Sequence, residues 1–249
     1  MQGTLTVRIR SHAVKVIRPA CRMQFTAADV EFIVSALGRD FDRKDCLVDL
    51  LSDPDSRDTI LDDVRLFRAL LEQMGCLQVS SRLYFYVLVR HVTLEAGLDD
   101  LRVADYIAEV LSVFVSERRR RNPFDDGNQP MHYVIDMLAA LQSASHADCF
   151  IIRAHLGNFT LFLSGLFPKH VRHRRERRGA PGIDYYEQVG RDSCRVVGNH
   201  QLADQYALAP VFRTLSTQFQ TTRLALNELS DRLVSLENSG FENALIIGD

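Results

Sequence analysis

From position 212 to 236 the chain repeats an apolar residue every three or four positions: Phe212, Leu215, Phe219, Leu226, Leu229, Leu233 and Leu236, with Thr222 the single polar member. Only an α-helix places that spacing on one side. The pattern predicts a long helix beginning at Pro210 with a coiled-coil-like seam. A seam of this kind has to be covered. The chain's own helices are the expected cover, and a second copy, pairing through 212–236 as a homo-oligomer, is the alternative.

The same helical period recurs upstream. Thr26-Ala-Ala-Asp29 forms a capping box, in which a hydroxyl and a carboxylate satisfy first-turn amides; Val30, Ile33, Val34 and Leu37 follow, and Gly38 stops the helix. Asp53-Pro54 opens a helix carrying Ile60, Leu61, Val64, Phe67, Leu70 and Leu71, with Gly75 as its stop. Ser80 caps a helix through Leu94 that ends at Gly97, and Asp99 starts another through Val115. Further helices are expected from Pro130 to Ser143, Asp148 to Phe167 and Pro181 to Val197, with a short one at Asn199 or His200. The expectation is an all-α fold, a multi-helix bundle or array of eight to ten helices.

One segment departs from that period. Leu5, Val7 and Ile9 alternate with Thr4, Thr6, Arg8 and Arg10, which reads as a strand, with Val14, Val16 and Ile17 as its hairpin partner. Two strands are marginal alone in water, so this minor β hairpin has to pack on something; Ala244–Ile247 is a candidate third strand. The segment 121–130, rich in Pro, Gly, Asn and Asp, is the clearest break. The chain then divides into a β element at 1–20, a helical half at 21–121, a loop at 122–130 and a helical half at 131–249. A single domain is the alternative.

Composition narrows the setting. Hydrophobic residues make 46% and charged residues 25% of 249, which suits a folded globular chain, and a net charge of −2 carries no global signature of nucleic-acid or membrane binding. Five cysteines, Cys21, Cys46, Cys76, Cys149 and Cys194, are odd in number and dispersed without C-x-x-C spacing, as expected of reduced thiols in the cytoplasm. The N-terminus lacks a signal-peptide pattern. The most apolar stretch, Phe150–Phe167, is broken by Arg153, His155, Gly157 and Asn158, so a core helix is expected there and no membrane partner.

Signatures of catalysis are missing. There is no P-loop, G-x-G-x-x-G, H-E-x-x-H or G-x-S-x-G, and no Glu has a His three positions on, as carboxylate-bridged di-iron bundles need. His91 and Glu95, one turn apart, are two groups and not a metal site. Neither catalytic residues, metal nor cofactor are assigned, and the balance leans away from an enzyme.

Two patterns remain. Arg153, Gly157, Thr160 and Ser164 form one stripe, and Arg153, His155 and Asn158 in an apolar helix need polar partners. Asp184, Tyr185, Tyr186 and Glu187 are the expected ones. Arg153, His155, Asn158, Tyr185, Tyr186 and Glu187 are therefore the candidate small-ligand pocket, with a structural network as the alternative. Second, only Lys15, Lys44 and Lys169 are lysine, and arginine is concentrated in Arg118, Arg119, Arg120, Arg121 and in Arg172, Arg174, Arg175, Arg177, Arg178. These runs suit an acidic protein partner, or phosphate in a sequence-independent nucleic-acid contact; no aromatics interleave them for stacking. The acidic series Asp40, Asp42, Asp45, Asp49, Asp53, Asp55, Asp58, Asp62, Asp63 offers pairing within the molecule instead.

The runs R-A-H-L-G-N-F (Arg153–Phe159), G-L-F-P (Gly165–Pro168), H-R-R-E-R-R-G-A-P-G (His173–Gly182) and Y-Y-E-x-x-G (Tyr185–Gly190) resemble a group of uncharacterised bacterial all-helical proteins, over about Asp53 to Leu236. The resemblance implies a bacterial origin and no particular activity. A non-enzymatic interaction or regulatory protein, binding an acidic partner through its arginine-rich segment, is the leading expectation. A helical bundle with a pocket at His155 is the second, and nucleic-acid binding the third.

Overall fold

The computed structural model describes residues 6–9, 12–38, 44–72, 79–120 and 130–235. The fold is all-α with one minor β hairpin, and twelve α-helices lie among the described residues. Their number exceeds the expected eight to ten because α2 (Lys44–Ser52) and a helix after Phe167 form where none was expected, and polar residues break one expected run in two. Asp62 closes α3 (Pro54–Leu61), and Asp63, in extended conformation, accepts the Arg65 amide to start α4 (Val64–Leu71). Pro168, directly after the helix expected to run to Phe167, opens α9 (Pro168–Arg178) from its first turn, where a missing N–H costs nothing. The expected third strand at Ala244–Ile247 and the stop at Gly75 lie outside the described residues.

The chain forms two compact units, residues 1–18 with 116–230 and residues 19–115 with 231–249. The hairpin thus belongs with the second half of the chain, and the end of the last helix with the first.

In the amino-terminal unit the Thr26 capping box of α1 (Ala27–Leu37) is formed, and Asp29 also accepts the Ser80 amide at 2.6 Å, tying the start of α1 to that of α5 (Ser81–Glu95). Helix α5 is the core of the unit, buried almost continuously from Leu83 to Val92. Buried Arg90 meets Asp62 through two hydrogen bonds of 2.9 Å and Asp99 at 2.7 Å. Cys21 donates to Glu109 on α6 (Leu101–Arg120), which Arg82 holds with a two-pronged pair, and Arg22 bridges Asp58 and Asp105. Four acids of the 40–63 series are accounted for locally: Asp53 and Asp63 cap helices, while Asp58, Asp62 and Asp63 pair with Arg22, Arg90 and Arg65; Asp40 and Asp42 lie outside the described residues.

In the hairpin unit β1 (Thr6–Ile9) and β2 (His12–Lys15) pair antiparallel, with Val7 opposite Val14. The hairpin lies on α8 (His146–Leu166), β1 also on α7 (Pro130–Ala140), which answers the need for cover. Length and composition would let α8 cross a membrane, but 83% of its most apolar window is buried inside the protein, as in a core helix. Its main neighbour is α10 (Ile183–Gly198). A β-carbon at Gly157 would sit 2.8 Å from Cys194 Sγ, and one at Gly190 would strike Thr160 Oγ1 and the Phe219 ring. Gly157 near Cys194 and Thr160 near Gly190 make the two helices antiparallel and set their register.

After α11 (Gln201–Gln205) comes α12 (Ala209–Ser235), bent at Gln218. Its seam residues Phe212, Leu215, Phe219, Thr222, Leu226, Leu229 and Leu233 are all buried within the single chain. Leu236 lies outside the described residues.

Candidate functional site

Helix α8 ends in carbonyls that no further turn can satisfy, and α12 supplies the donors. The Asn227 amide donates to the Ser164 and Gly165 carbonyls at 2.8 and 2.6 Å, and the Ser230 hydroxyl to the Leu166 carbonyl at 2.9 Å. Asn227 is itself held by Arg223 (2.9 Å), whose Nε donates to Glu187 at 3.0 Å, and Arg191 donates to the other Glu187 oxygen at 2.8 Å. Glu187 is therefore one end of a buried chain of bonds running through α12 to the end of α8.

That network separates the expected pocket into two places. The antiparallel register puts Tyr185, Tyr186 and Glu187, at the start of α10, beside the carboxyl-terminal half of α8; Arg153 and His155 occupy the other half. His155 Nε2 lies 2.7 Å from the hydroxyl of Tyr133 on α7, whose ring also packs edge-on against Phe159. Arg153 is half-buried with a buried Nε that has no hydrogen-bond partner among the described residues, and Asn158 is buried in the same helix. Tyr133 carries no signal in the sequence that would pair it with a histidine 22 residues on. Nor does Arg223, one arginine among many, stand out there as the partner of Glu187.

A second histidine cluster was legible only as a helix start. His200 Nδ1 accepts the Leu202 amide at 3.1 Å, so Nε2 carries the proton and donates to the His146 carbonyl at 3.1 Å. The His200 ring stacks on His146 at 4.0 Å and lies 5.2 Å from Phe150. Burial, with His146 adding to it, holds His200 below the usual imidazole range. The other pair, His91 and Glu95, is a 3.2 Å contact beneath a Phe67 ring stacked at 3.8 Å, with Arg232 on Glu95 at 2.7 Å. No cluster of three metal-binding side chains occurs among the described residues.

The arginine-rich segment forms a regular helix. Only Pro168 and Val171 of α9 are buried; Arg172, His173, Arg175, Glu176, Arg177 and Arg178 are exposed and Arg174 is half-buried. Gly179, left-handed at φ 61°, ends the helix, and Arg175, Arg177 and Arg178 fill its last turn, where positive charge complements the helix dipole. That accounts for some basic residues, not for five arginines and Lys169 against the single acid Glu176. Arg172, Arg174, Arg175, Arg177 and Arg178 have no carboxylate partner among the described residues. Of the other run, Arg118, Arg119 and Arg120 close α6, and Arg121 lies outside the described residues.

Arg174 differs from its neighbours. Its Nη2 is buried without a hydrogen-bond partner, and its charge is disfavoured by burial and by Arg178, with Tyr186 acting the other way. Burial in turn pushes the Tyr186 phenol up. Arg175 lies across the start of α10: a β-carbon at Gly182 would be 2.7 Å from its Nη1. Compared with known proteins, the chain matches no family model, no curated protein and no solved structure.

Proposed function

We propose that the protein is a non-enzymatic interaction protein, regulatory in role, that docks an acidic protein partner on α9. The observation that carries this reading is the row of exposed arginines, Arg172, Arg175, Arg177 and Arg178, on a formed helix and without carboxylate partners. Guanidinium forks match carboxylates with paired hydrogen bonds, and a preformed helix presents them at little ordering cost. A protein partner is favoured over nucleic acid because the segment 168–178 contains no Phe, Tyr or Trp on which a base would stack.

The test is fluorescence anisotropy with a labelled glutamate-rich peptide and a labelled DNA duplex of the same length. The reading expects saturable peptide binding that weakens with salt and is poorly competed by the duplex. Tight duplex binding with none of the peptide would replace it with the nucleic-acid reading.

A further inference from the structure

The α9 arginines do not all point the same way. Arg174 and Arg178 are one turn apart, and Arg175 and Arg178 three residues apart, spacings that make side chains neighbours on a helix. Arg174 is close enough to Tyr186 and Arg178 for each to shift its charge balance, and Arg175 lies over Gly182. These three arginines therefore gather on the side of α9 that meets the first turn of α10, while Arg172 and Arg177 project elsewhere.

We propose that Arg174, Arg175 and Arg178 form a binding site for a phosphate monoester carried by the acidic partner protein. The proposal rests on α9 being the docking helix and names the group it recognises best. Three guanidiniums at one place bring three positive charges and more donors than one carboxylate, with a single charge and two oxygens, can satisfy. A phosphate monoester brings nearly two charges and three acceptor oxygens. With the phosphate bound beside them, the repulsion between Arg174 and Arg178 is relieved. Gly182 is the residue that leaves room for Arg175 to take part. No imported acid is needed to hold the arrangement in place, because Val171 and Pro168 already anchor α9.

The experiment uses the full chain and three labelled glutamate-rich peptides that differ only at a central serine, phosphoserine or glutamate. The phosphoserine peptide is expected to bind about tenfold tighter than the glutamate peptide, the gain of one or two charge-assisted hydrogen bonds. Arg174→Gln with Arg178→Gln should abolish that preference, so that the phosphoserine and glutamate peptides bind alike. Arg172→Gln with Arg177→Gln should weaken all three peptides alike, and far-UV circular dichroism checks that each variant is folded. Equal binding of the phosphoserine and glutamate peptides by the unaltered protein would overturn the phosphate site and leave acidic docking standing. A preference that survives Arg174→Gln with Arg178→Gln would overturn its assignment to these residues. Binding of none of the peptides would remove both the site and the docking reading.

Discussion

Arg223 Nε donates to the Glu187 carboxylate at 3.0 Å, and both side chains are nine-tenths or more buried. Such a pair is costly to assemble, because both ions leave water, and more costly to break. Its geometric role is to hold Asn227 against the last carbonyls of α8. Glu187→Gln strands the Arg223 charge and should lower the free energy of unfolding by about 3 kcal/mol. Adding Arg223→Met should return part of that loss. Urea denaturation measures both, and a neutral Glu187→Gln would show that the pair does not hold the helices.

Gly190 sets the approach of α8, α10 and α12, since a β-carbon there would strike both Thr160 and Phe219. Gly190→Ala should destabilise the protein by about 3 kcal/mol, at the upper end of ordinary overpacking, because the fully buried Phe219 ring and the Thr160 hydroxyl must both give way. Phe219→Leu in the same chain should recover part of it, as the ring is the nearest obstacle. Thermal unfolding of the single and double variants checks the pair.

The fold class was readable because the helical period is strong and its caps are chemically explicit: Thr26 with Asp29, Asp53, Ser80 and Pro130 all begin helices where they were expected to. Helix breaks were less readable. Asp62-Asp63 interrupts an apolar pattern that continues across it, and only the carboxylate's reach to the Arg65 amide separates α3 from α4. The site was readable in part. Polar residues in the α8 helix clearly needed partners, but sequence order suggested the next helix start, whereas antiparallel packing brings Tyr133 to His155 and sends Glu187 to Arg223. Which helix faces which is set by tertiary register, and register here depends on Gly157 and Gly190, whose importance appears only when their neighbours are known.

Stability should fall as the solution is acidified from neutral. His200 and His91 both titrate below the ordinary imidazole value in the folded protein, chiefly because burial disfavours their charged forms. Below about pH 6.5 the unfolded chain takes up protons at these positions before the folded chain does. The contribution is thus fully present above that value and lost as pH falls toward the lower folded-state values. Protonating His200 also turns Nδ1 from the acceptor that caps α11 into a donor facing the Leu202 amide. His200→Asn, which keeps a cap, should reduce the acid loss seen by urea denaturation between pH 7.5 and 5.5. An unchanged pH profile would contradict the assignment.

Thiol chemistry offers a further check on packing. Burial pushes both Cys21 and Cys194 far up, and at Cys21 the neighbouring Glu109 carboxylate adds to the effect. Neither should form the thiolate that alkylation requires. Brief iodoacetamide treatment of the native protein should modify half-buried Cys149 ahead of both, with Cys21 and Cys194 reacting only after unfolding, as read by peptide mass spectrometry. Rapid modification of Cys194 would contradict the tight packing of α8 on α10.

The central claim, that α9 docks an acidic partner, is tested most directly by removing its charge without disturbing its dipole. Replacing Arg172, Arg175, Arg177 and Arg178 by Gln keeps helix propensity and places no acid in the last turn. Affinity for a labelled glutamate-rich peptide, measured at low salt beside a control in which exposed Arg102 and Arg195 are changed to Gln, is the deciding quantity. The account predicts that the α9 variant loses at least about tenfold in affinity, with helicity intact and the control nearly unchanged. Equal affinity in the α9 variant and the unaltered protein would contradict it.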